Sequence, residues 1–139
     1  MDKLSENIDN IKVGFSFQKA ERLCSKKIIE QLFEKGNSIF VFPLKIVYIE
    51  TKLPSEFPVQ AAFTVSKKNF KRAVQRNLIK RRMREAYRLN KATLYEHLKG
   101  KQVAVFFIYT AKQIQDYRQI EQSVKKGITK LYSETGKEK

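Results

Sequence analysis

The sequence predicts a single-domain α+β protein whose helices and strands follow the order αβββαβα. Several short stretches alternate apolar and polar residues with a period of two, which is the strand pattern. Other stretches repeat apolar residues every three or four positions, which is the helix pattern. The chain has 139 residues, a length that a single core can organise, and it contains no internal repeat or interdomain linker. We expect the folded domain at residues 18–132, between a flexible N-terminal arm at 1–17 and a polar C-terminal tail at 133–139.

The first helix is predicted over residues 25–36. Ser25 is a favourable N-cap residue, and Gly36 is expected to end the helix in the left-handed conformation. Between these two positions the apolar side chains fall on one stripe, which predicts a face packed against the core. The stripe consists of Ile28, Ile29, Leu32 and Phe33.

Three strand segments are predicted. The first, residues 39–52, is interrupted or opened by Pro43, which suits an edge strand or a bulge, so it is predicted to be two strands or one bent strand. Residues 53–58 are expected to form the loop of a hairpin whose second strand is residues 59–66. The later segment, residues 102–110, is apolar on both faces, so we expect it to be central or covered on both sides.

Two more helices are predicted. The chain changes from strand to helix between Ser66 and Asn69, two residues that can cap a helix start. Residues 90–100 are expected to form a separate short helical turn. Asp116 opens the last helix as part of an Asp-x-x-Gln capping box, and Gly127 within it costs about 1 kcal/mol relative to Ala but permits close packing.

The charge of the chain indicates its class of partner. The formal net charge is +15 and the isoelectric point is about 10.0, which makes nucleic acid the first expected partner and an anionic membrane the second. No apolar run approaches the ~20 residues that span a bilayer, and the first residues lack the apolar segment of a secretory signal. We therefore expect a cytoplasmic protein without a membrane partner. Cys24 is the single cysteine, which excludes a disulfide framework within one chain.

Positive charge is concentrated on one predicted helix and on the turn before it. Between Lys67 and Lys91 the sequence has 11 basic residues and one acid, Glu85. Like charges at i, i+4 repel, so such a row predicts an anionic partner. The alternative is a solvated basic face, but those faces usually interleave Glu with Lys. The apolar side of the helix is predicted to consist of Val74, Leu78, Ile79, Met83 and Ala86.

Groups for bond-making chemistry are missing from the sequence. A protein nuclease needs clustered carboxylates on a metal ion or a general acid and base pair. The acids here are scattered, His97 is the sole histidine, and no metal-ligand spacing or Gly-rich phosphate loop occurs. We therefore expect no catalytic residues and no metal site on the protein.

Two motifs carry a resemblance to a known family. They are Val65-Ser66-Lys67-Lys68 and Ala73-Val74-x-Arg76-Asn77-x-x-Lys80-Arg81-x-x-Arg84-Glu85. Together they resemble the signature of the bacterial ribonuclease P protein family, the small basic subunit of the ribonucleoprotein that matures tRNA 5′ ends. The chain departs from that signature at Leu78, where the family usually has Arg, and at Asn69-Phe70-Lys71, where a Gly is common. The resemblance extends from about Arg22 to Leu131.

The resemblance implies a fold and a function. The fold is an α/β sandwich in which the basic helix is a left-handed crossover between parallel strands, whereas general rules predict right-handed connections. The function is that of a ribonuclease P protein subunit: the RNA subunit cleaves with Mg²⁺, and the protein binds that RNA and the single-stranded 5′ leader of precursor tRNA. No obligate protein partner is expected.

The resemblance also implies two sets of site residues. Contacts to the RNA subunit are expected from the turn and the basic helix, at Ser66, Lys67, Lys68, Arg72, Arg76, Asn77, Lys80, Arg81, Arg84 and Arg88. The leader is expected between the first helix and the sheet, at Ile29 and Phe33 with Val47 or Tyr48 from the neighbouring strand. For each of these four residues ordinary core packing is the alternative.

Two other functions fit the composition. A structural RNA-binding protein, such as a ribosomal protein or an RNA chaperone, accounts equally well for the charge, the size and the missing catalytic groups, but not for the two motifs. A peripheral membrane protein would need a broad apolar face opposite its Lys and Arg residues. Because Arg72, Gln75 and Arg82 interrupt the apolar side of the basic helix, the membrane hypothesis ranks last.

Overall fold

The computed structural model describes residues 16–135. The rest of the expected N-terminal arm, residues 1–15, and the end of the expected tail, residues 136–139, lie outside the described residues. A short 3-10 turn at Lys19–Glu21 precedes seven elements, and their order confirms the predicted αβββαβα arrangement. The elements are α1 (Lys26–Lys35), β1 (Asn37–Val41), β2 (Leu44–Glu50), β3 (Val59–Val65), α2 (Ala73–Leu98), β4 (Val103–Tyr109) and α3 (Tyr117–Thr135).

The four strands form one mixed sheet in the order β1-β2-β4-β3. β1 pairs antiparallel with β2, and β2 pairs antiparallel with β4, whereas β3 and β4 are parallel. The predicted hairpin between the strands at 39–52 and 59–66 is wrong, because β4 lies between β2 and β3. The prediction that residues 102–110 form a central strand is confirmed. An all-apolar strand is stable there because both of its edges are paired, one of its faces is covered by α2 and α3, and the other is covered in part by α1.

The first predicted strand is divided at Pro43, as its position suggested. β1 and β2 form a hairpin around a cis Phe42–Pro43 peptide, with Val41 opposite Leu44. Pro43 thus lies in the turn, where its missing N–H removes no hydrogen bond from the sheet.

Helices cover the two faces of the sheet unequally. α2 packs against β3 and α3 packs against β1 and β2, so these two helices cover one face. The larger core lies there, with Ile46, Met83, Tyr87, Phe107 and Leu131 almost completely buried. α1 packs on the opposite face against β2 and β4, over a smaller core that includes Leu32, Val47 and Ala104. A single ten-residue helix does not cover that whole face, so part of it stays open.

The helix α2 joins β3 to the parallel strand β4, which confirms that the basic helix is a crossover. The handedness of that crossover stays a prediction. α2 is one helix of 26 residues, so the separate helical turn predicted at 90–100 is wrong. Ala73–Leu98 contains no Gly or Pro, and the helix ends at Lys99 and Gly100, which both have positive φ. Val74, predicted on the apolar side, is 76% exposed, because it lies in the first turn of α2, outside the packed part.

Three helix ends test the predicted capping residues. Ser25 caps α1, since its Oγ accepts a hydrogen bond from the N–H of Ile28 at 3.2 Å. Gly36 ends α1 with φ −71°, so the predicted left-handed conformation is wrong. A glycine is required there for space, because a Cβ would lie 2.3 Å from the carbonyl oxygen of Leu32. Asp116 caps α3 through a 2.9 Å bond from the N–H of Gln119.

The chain ends of the described region are held in place. α3 continues past the expected boundary at residue 132, and its last residue, Thr135, is buried and accepts a 2.7 Å hydrogen bond from Lys101 Nζ at its carbonyl oxygen. At the other end, Phe17 packs edge-on against Phe63 and Tyr87. None of the helices within residues 16–135 has the length and apolar character that crossing a membrane requires.

Candidate nucleic-acid interface

A basic turn connects β3 to α2. Ser66 organises it: its Oγ accepts the N–H of Lys68 at 3.0 Å, and its carbonyl oxygen accepts the N–H of Phe70 at 3.1 Å. Phe70 is buried, which anchors the turn, while Lys67 and Lys68 are exposed. Ser66 therefore caps the turn, and the helix begins later, after Arg72, which makes no side-chain cap.

Arg76 fixes this turn to the helix. Its Nη1 donates to the carbonyl oxygens of Phe70 and Lys71, both at 2.8 Å. Part of its hydrogen-bonding capacity is thus used inside the protein. A residue that the family resemblance assigns to RNA contact has a structural role here as well.

The remaining cations of this region lie at exposed or half-buried positions, and we call them together the basic face. The exposed and half-buried side chains of the turn and of α2 belong to it. Among residues 16–135, the two ion pairs join Arg88 to Glu85 and Lys91 to Glu21, so no described acid neutralises the basic face. It consists of Lys67, Lys68, Lys71, Arg72, Lys80, Arg81 and Arg84, with Asn77 exposed among them.

Two further arginines of α2 also make contacts within the protein. Arg82 donates to the carbonyl oxygen of Gln115 at 2.7 Å and so connects α2 to the loop before α3. Arg88 is paired with Glu85, with an N–O distance of 2.6 Å, and its hydrogen bonds hold the pKa of the Glu85 carboxyl below its usual range. Arg88, expected to contact the RNA subunit, is therefore partly neutralised.

Lys80 and Arg84 also line a pocket of about 430 Å³. Its other walls are the β3 residues 61–63 and the segment that precedes α1, including Phe17, Arg22 and Cys24. Arg22 is exposed and adds a third cation to this pocket. No sequence pattern indicates this role, because Arg22 is an isolated basic residue far from the basic helix in the chain.

The segment that carries Arg22 is held by buried polar contacts. Glu21 and Lys91 are each about 1% exposed and form an ion pair. Tyr95 donates a 2.6 Å hydrogen bond to the same Glu21 oxygen, Oε1. Beyond this pair, Arg22 forms a parallel bridge with Ala61, and the N–H of Leu23 donates to the Ala61 carbonyl oxygen at 3.0 Å. These contacts place the segment along the outer edge of β3.

The face of the sheet that α1 covers in part carries the second candidate surface. Strand side chains alternate between faces, and those opposite the larger core include two neighbouring rows across the sheet. One row is Ser38, Val47, Phe106 and Ala62, and the next is Phe40, Lys45, Ile108 and Thr64. We call the second row, together with Phe106, Ala62 and Phe33 of α1, the open face.

Aromatic side chains are exposed on the open face. Phe33 is 53% exposed, and its ring lies against that of Phe106 with centroids 5.2 Å apart. Ile29, one turn earlier on α1, is half-buried beside the smaller core. Val47 lies on the same face, but only 6% of it is exposed. Of the residues predicted to bind the leader, Phe33 presents the largest accessible surface, and Val47 is a core residue under α1.

Tyr48 does not lie on the open face. Its side chain points to the opposite face, where it belongs to the larger core and its hydroxyl donates to Glu134 of α3. Burial, together with that hydrogen bond, raises the pKa of Tyr48 above its usual range. The expectation that Tyr48 borders the same surface as Phe33 is wrong, because adjacent residues of a strand face opposite sides.

The two surfaces meet at β3. This strand contributes Ala62 and Thr64 to the open face, and its C-terminal end continues directly into Ser66 and the basic turn. Aromatic platforms beside a cationic surface are the usual arrangement for binding single-stranded nucleic acid. The fold and the site therefore define a small α+β nucleic-acid-binding protein.

Comparison with known proteins specifies the family. A family model described as Ribonuclease P matches residues 17–132. The ribonuclease P protein component of Porphyromonas gingivalis W83 is 36% identical over 122 residues, which cover 84% of this chain and 87% of the relative. The corresponding protein of Chlorobium phaeobacteroides is 36% identical over 124 residues, covering 78% and 83%. The chain belongs to the ribonuclease P protein family.

Solved structures agree with this assignment. The ribonuclease P protein of Staphylococcus aureus superimposes with a TM-score of 0.60 at 26% identity, covering 81% of this chain and 95% of the other. That of Thermotoga maritima superimposes with a TM-score of 0.63 at 19% identity, covering 79% and 96%, a similarity that concerns the fold alone. The predicted α+β class is confirmed.

The described residues offer little for metal or acid–base chemistry. Within residues 16–135, no group of three or more His, Cys, Asp and Glu side chains is placed to hold a metal ion. His97 stacks on Tyr132 with ring centroids 4.0 Å apart, and its Nδ1 lies 2.8 Å from the carbonyl oxygen of Thr93. These contacts place His97 between α2 and α3, away from the pocket of Lys80 and Arg84.

Proposed function

We propose that this chain binds ribonuclease P RNA through its basic face and the single-stranded 5′ leader of precursor tRNA through its open face. In this way it promotes removal of the leader to give the mature tRNA 5′ end. Membership of the ribonuclease P protein family supports the RNA partner. The observation that carries the proposal is the position of β3, which contributes to the open face and continues into the basic turn.

The basic face suits a folded RNA. Lys and Arg bind phosphates with release of counterions, so that affinity falls steeply with salt concentration. Arg81 and Arg84 add planar, bidentate geometry to the point charge of Lys80. Because no described acid competes for these cations, they are available to phosphate groups.

The open face suits a single strand of variable sequence. Bases stack on aromatic rings without regard to their identity, and Phe33 and Phe106 provide two rings in contact. Lys45 lies on the same face and provides positive charge for the backbone. Leader sequences differ between precursor tRNAs, so a surface that stacks bases without reading their edges meets the requirement.

Cleavage itself is assigned to the RNA subunit. Mg²⁺, the ion that this chemistry requires, is expected to be bound mainly by the RNA, since the described carboxylates form no cluster that fits it. The protein residues bind and orient: the basic face holds the RNA subunit, and the open face holds the leader. We place this activity in the cytoplasm and assign the protein no membrane and no obligate protein partner.

Reconstitution tests the proposal. The purified protein is mixed with a bacterial ribonuclease P RNA, and cleavage of 5′-labelled precursor tRNA is followed at low Mg²⁺ concentration, where the RNA alone is nearly inactive. We expect cleavage at the mature 5′ end only when both components are present. If a cognate RNA and folded protein give no stimulation, the protein is instead a structural RNA-binding protein.

A further inference from the structure

Phe40 is a large apolar side chain that the fold leaves in solvent. It is 60% exposed, although burial of a Phe side chain normally stabilises the folded state. Its neighbour Ile39 belongs to the larger core, so Phe40 points to the other side of the sheet, onto the open face. The ring is therefore accessible on the same surface as Phe33.

The register of the strands gives Phe40 a cationic neighbour. Phe40 is directly opposite Lys45, and Lys45 is directly opposite Ile108. Both Phe40 and Lys45 are exposed, and neighbouring strands are about 4.8 Å apart. An aromatic ring next to a lysine can bind one nucleotide, because the base stacks on the ring and the lysine neutralises the phosphate.

The position of Phe40 in the sheet determines which nucleotide it meets. The strand order β1-β2-β4-β3 puts Phe40 at the edge farthest from β3, where the basic turn and α2 begin. It lies two strand spacings, about 10 Å, beyond the strand that carries Phe106. A single strand that starts at the RNA subunit on the basic face passes Thr64, Ile108 and Lys45 before it reaches Phe40.

We propose that Phe40 and Lys45 form an additional stacking site for single-stranded RNA at the β1 edge, which binds leader nucleotides more distant from the cleavage site than those at Phe33. The proposal rests on the proposed function of the open face. Its occupant is RNA because the exposed ring is continuous with that face and has a lysine beside it.

Precursor tRNAs with leaders of different lengths distinguish binding at this site from binding at the rest of the interface. The holoenzyme is reconstituted with wild-type protein or with the Phe40→Ala variant, and its affinity is measured for precursor tRNAs whose leaders are shortened one nucleotide at a time. We expect equal affinities for short leaders. For long leaders the variant binds roughly 5- to 100-fold more weakly, as expected for the loss of one stacked base. Phe40→Tyr keeps the wild-type affinity, whereas Phe40→Leu behaves as Phe40→Ala.

Two matched variants complete the design. Lys45→Gln weakens binding of the same long leaders and reduces the slope of log K against log salt by about 0.7, the value for one phosphate contact on a single strand. Val74→Ala removes an apolar side chain that is 76% exposed on α2, outside the sheet. We expect it to leave the dependence on leader length unchanged. Thermal unfolding followed by circular dichroism verifies that every variant is folded.

The possible results have distinct meanings. Equal affinity of Phe40→Ala and wild type at every leader length overturns the proposal, as does an equal loss at every length including mature tRNA. If Phe40→Ala changes only the sedimentation behaviour of the free protein, the β1 edge binds a second copy of the chain and not RNA. If the wild-type holoenzyme gains no affinity from any leader nucleotide and Phe33→Ala has no effect, the proposed function of the open face itself fails.

Discussion

Glu21 and Lys91 form an ion pair inside the protein, with each side chain about 1% exposed. The pair joins the segment before α1 to the C-terminal half of α2, and Lys91 also donates to the carbonyl oxygen of Ser16. It therefore determines the position of Phe17 and Arg22, which line the pocket of Lys80 and Arg84. A buried contact between two residues distant in sequence thus positions part of the candidate RNA surface.

Removing one partner of this pair should destabilise the protein strongly. Lys91→Met leaves the Glu21 carboxylate buried without its counter-ion, and we expect the free energy of unfolding to fall by about 3–5 kcal/mol. Urea unfolding at neutral pH measures the change. The double variant Glu21→Gln, Lys91→Met serves as the control and should be more stable than Lys91→Met alone, since it carries no unpaired buried charge. A cost below about 1 kcal/mol for Lys91→Met would contradict the assignment.

Arg76 and Arg84 should respond differently to truncation, although both belong to the motif. Arg76 holds the basic turn through hydrogen bonds to two carbonyl oxygens. Arg76→Ala should therefore lower the free energy of unfolding by about 1–2 kcal/mol. This value is at the low end for hydrogen bonds of charged groups, because the turn is partly exposed. Arg84→Ala breaks no described hydrogen bond and should leave stability unchanged. Chemical denaturation of the two variants side by side measures the difference. An equal loss of stability in both would show that Arg76 is not a structural residue.

Arg84→Ala should instead weaken binding to ribonuclease P RNA. The loss of one phosphate contact reduces the slope of log K against log salt by about 0.7–0.9. Filter binding over a range of salt concentrations measures the slope. Lys130→Ala, which removes one exposed charge from α3, is the control and should have a much smaller effect. If both variants change the slope equally, the binding is a general effect of net charge and not of the basic face.

Phe33→Ala should reduce the preference for precursor over mature tRNA. The exposed ring lies against Phe106, and the loss of one stacked base corresponds to about 1–3 kcal/mol of binding free energy. We expect precursor binding to weaken by this amount and mature tRNA binding to stay the same. Equilibrium binding of both RNAs to the reconstituted holoenzyme is the measurement. Equal weakening for the two RNAs would exclude Phe33 from leader recognition.

Gly127 lies where α3 comes closest to the sheet. A Cβ at this position would be 2.2 Å from Cδ1 of Ile46, a completely buried side chain. Gly127→Ala should therefore destabilise the protein by about 1–3 kcal/mol through overpacking, although Ala favours the helix by about 1 kcal/mol. Thermal unfolding measures the balance. The Ile46→Val change removes Cδ1, so Gly127→Ala should cost less in that background; additive costs would show that the two residues do not compete for space.

The sequence predicted those elements that local chemistry determines. Ser25 and Asp116 were recognised as caps because a side-chain oxygen at a helix start has a local partner. The central position of β4 was predictable because a strand that is apolar on both faces needs cover on both. The close approach at Gly127 was predictable from its location within an amphipathic helix.

Features that depend on distant contacts were missed. The hairpin of β2 and β3 was inferred from their adjacency in the chain, but β4 pairs with both and separates them. Period-two alternation showed that Val47 and Tyr48 face opposite sides, yet it could not identify the side that α1 covers. The place of Arg22 in the pocket depends on its bridge to Ala61, which no pattern within its own segment indicates.

The central place of β4 also has a consequence for the order of events during synthesis. On a ribosome, β1, β2, β3 and the whole of α2 emerge before Val103, the first residue of β4. Until then no strand pairing connects the β1–β2 hairpin to β3, because β4 is the strand of the described residues that pairs with both. The nascent chain thus presents the positive charges of α2 before the sheet that carries the open face is complete. Under the proposed function, the charges that attract RNA are therefore synthesised before the last strand of the surface that would bind its bases.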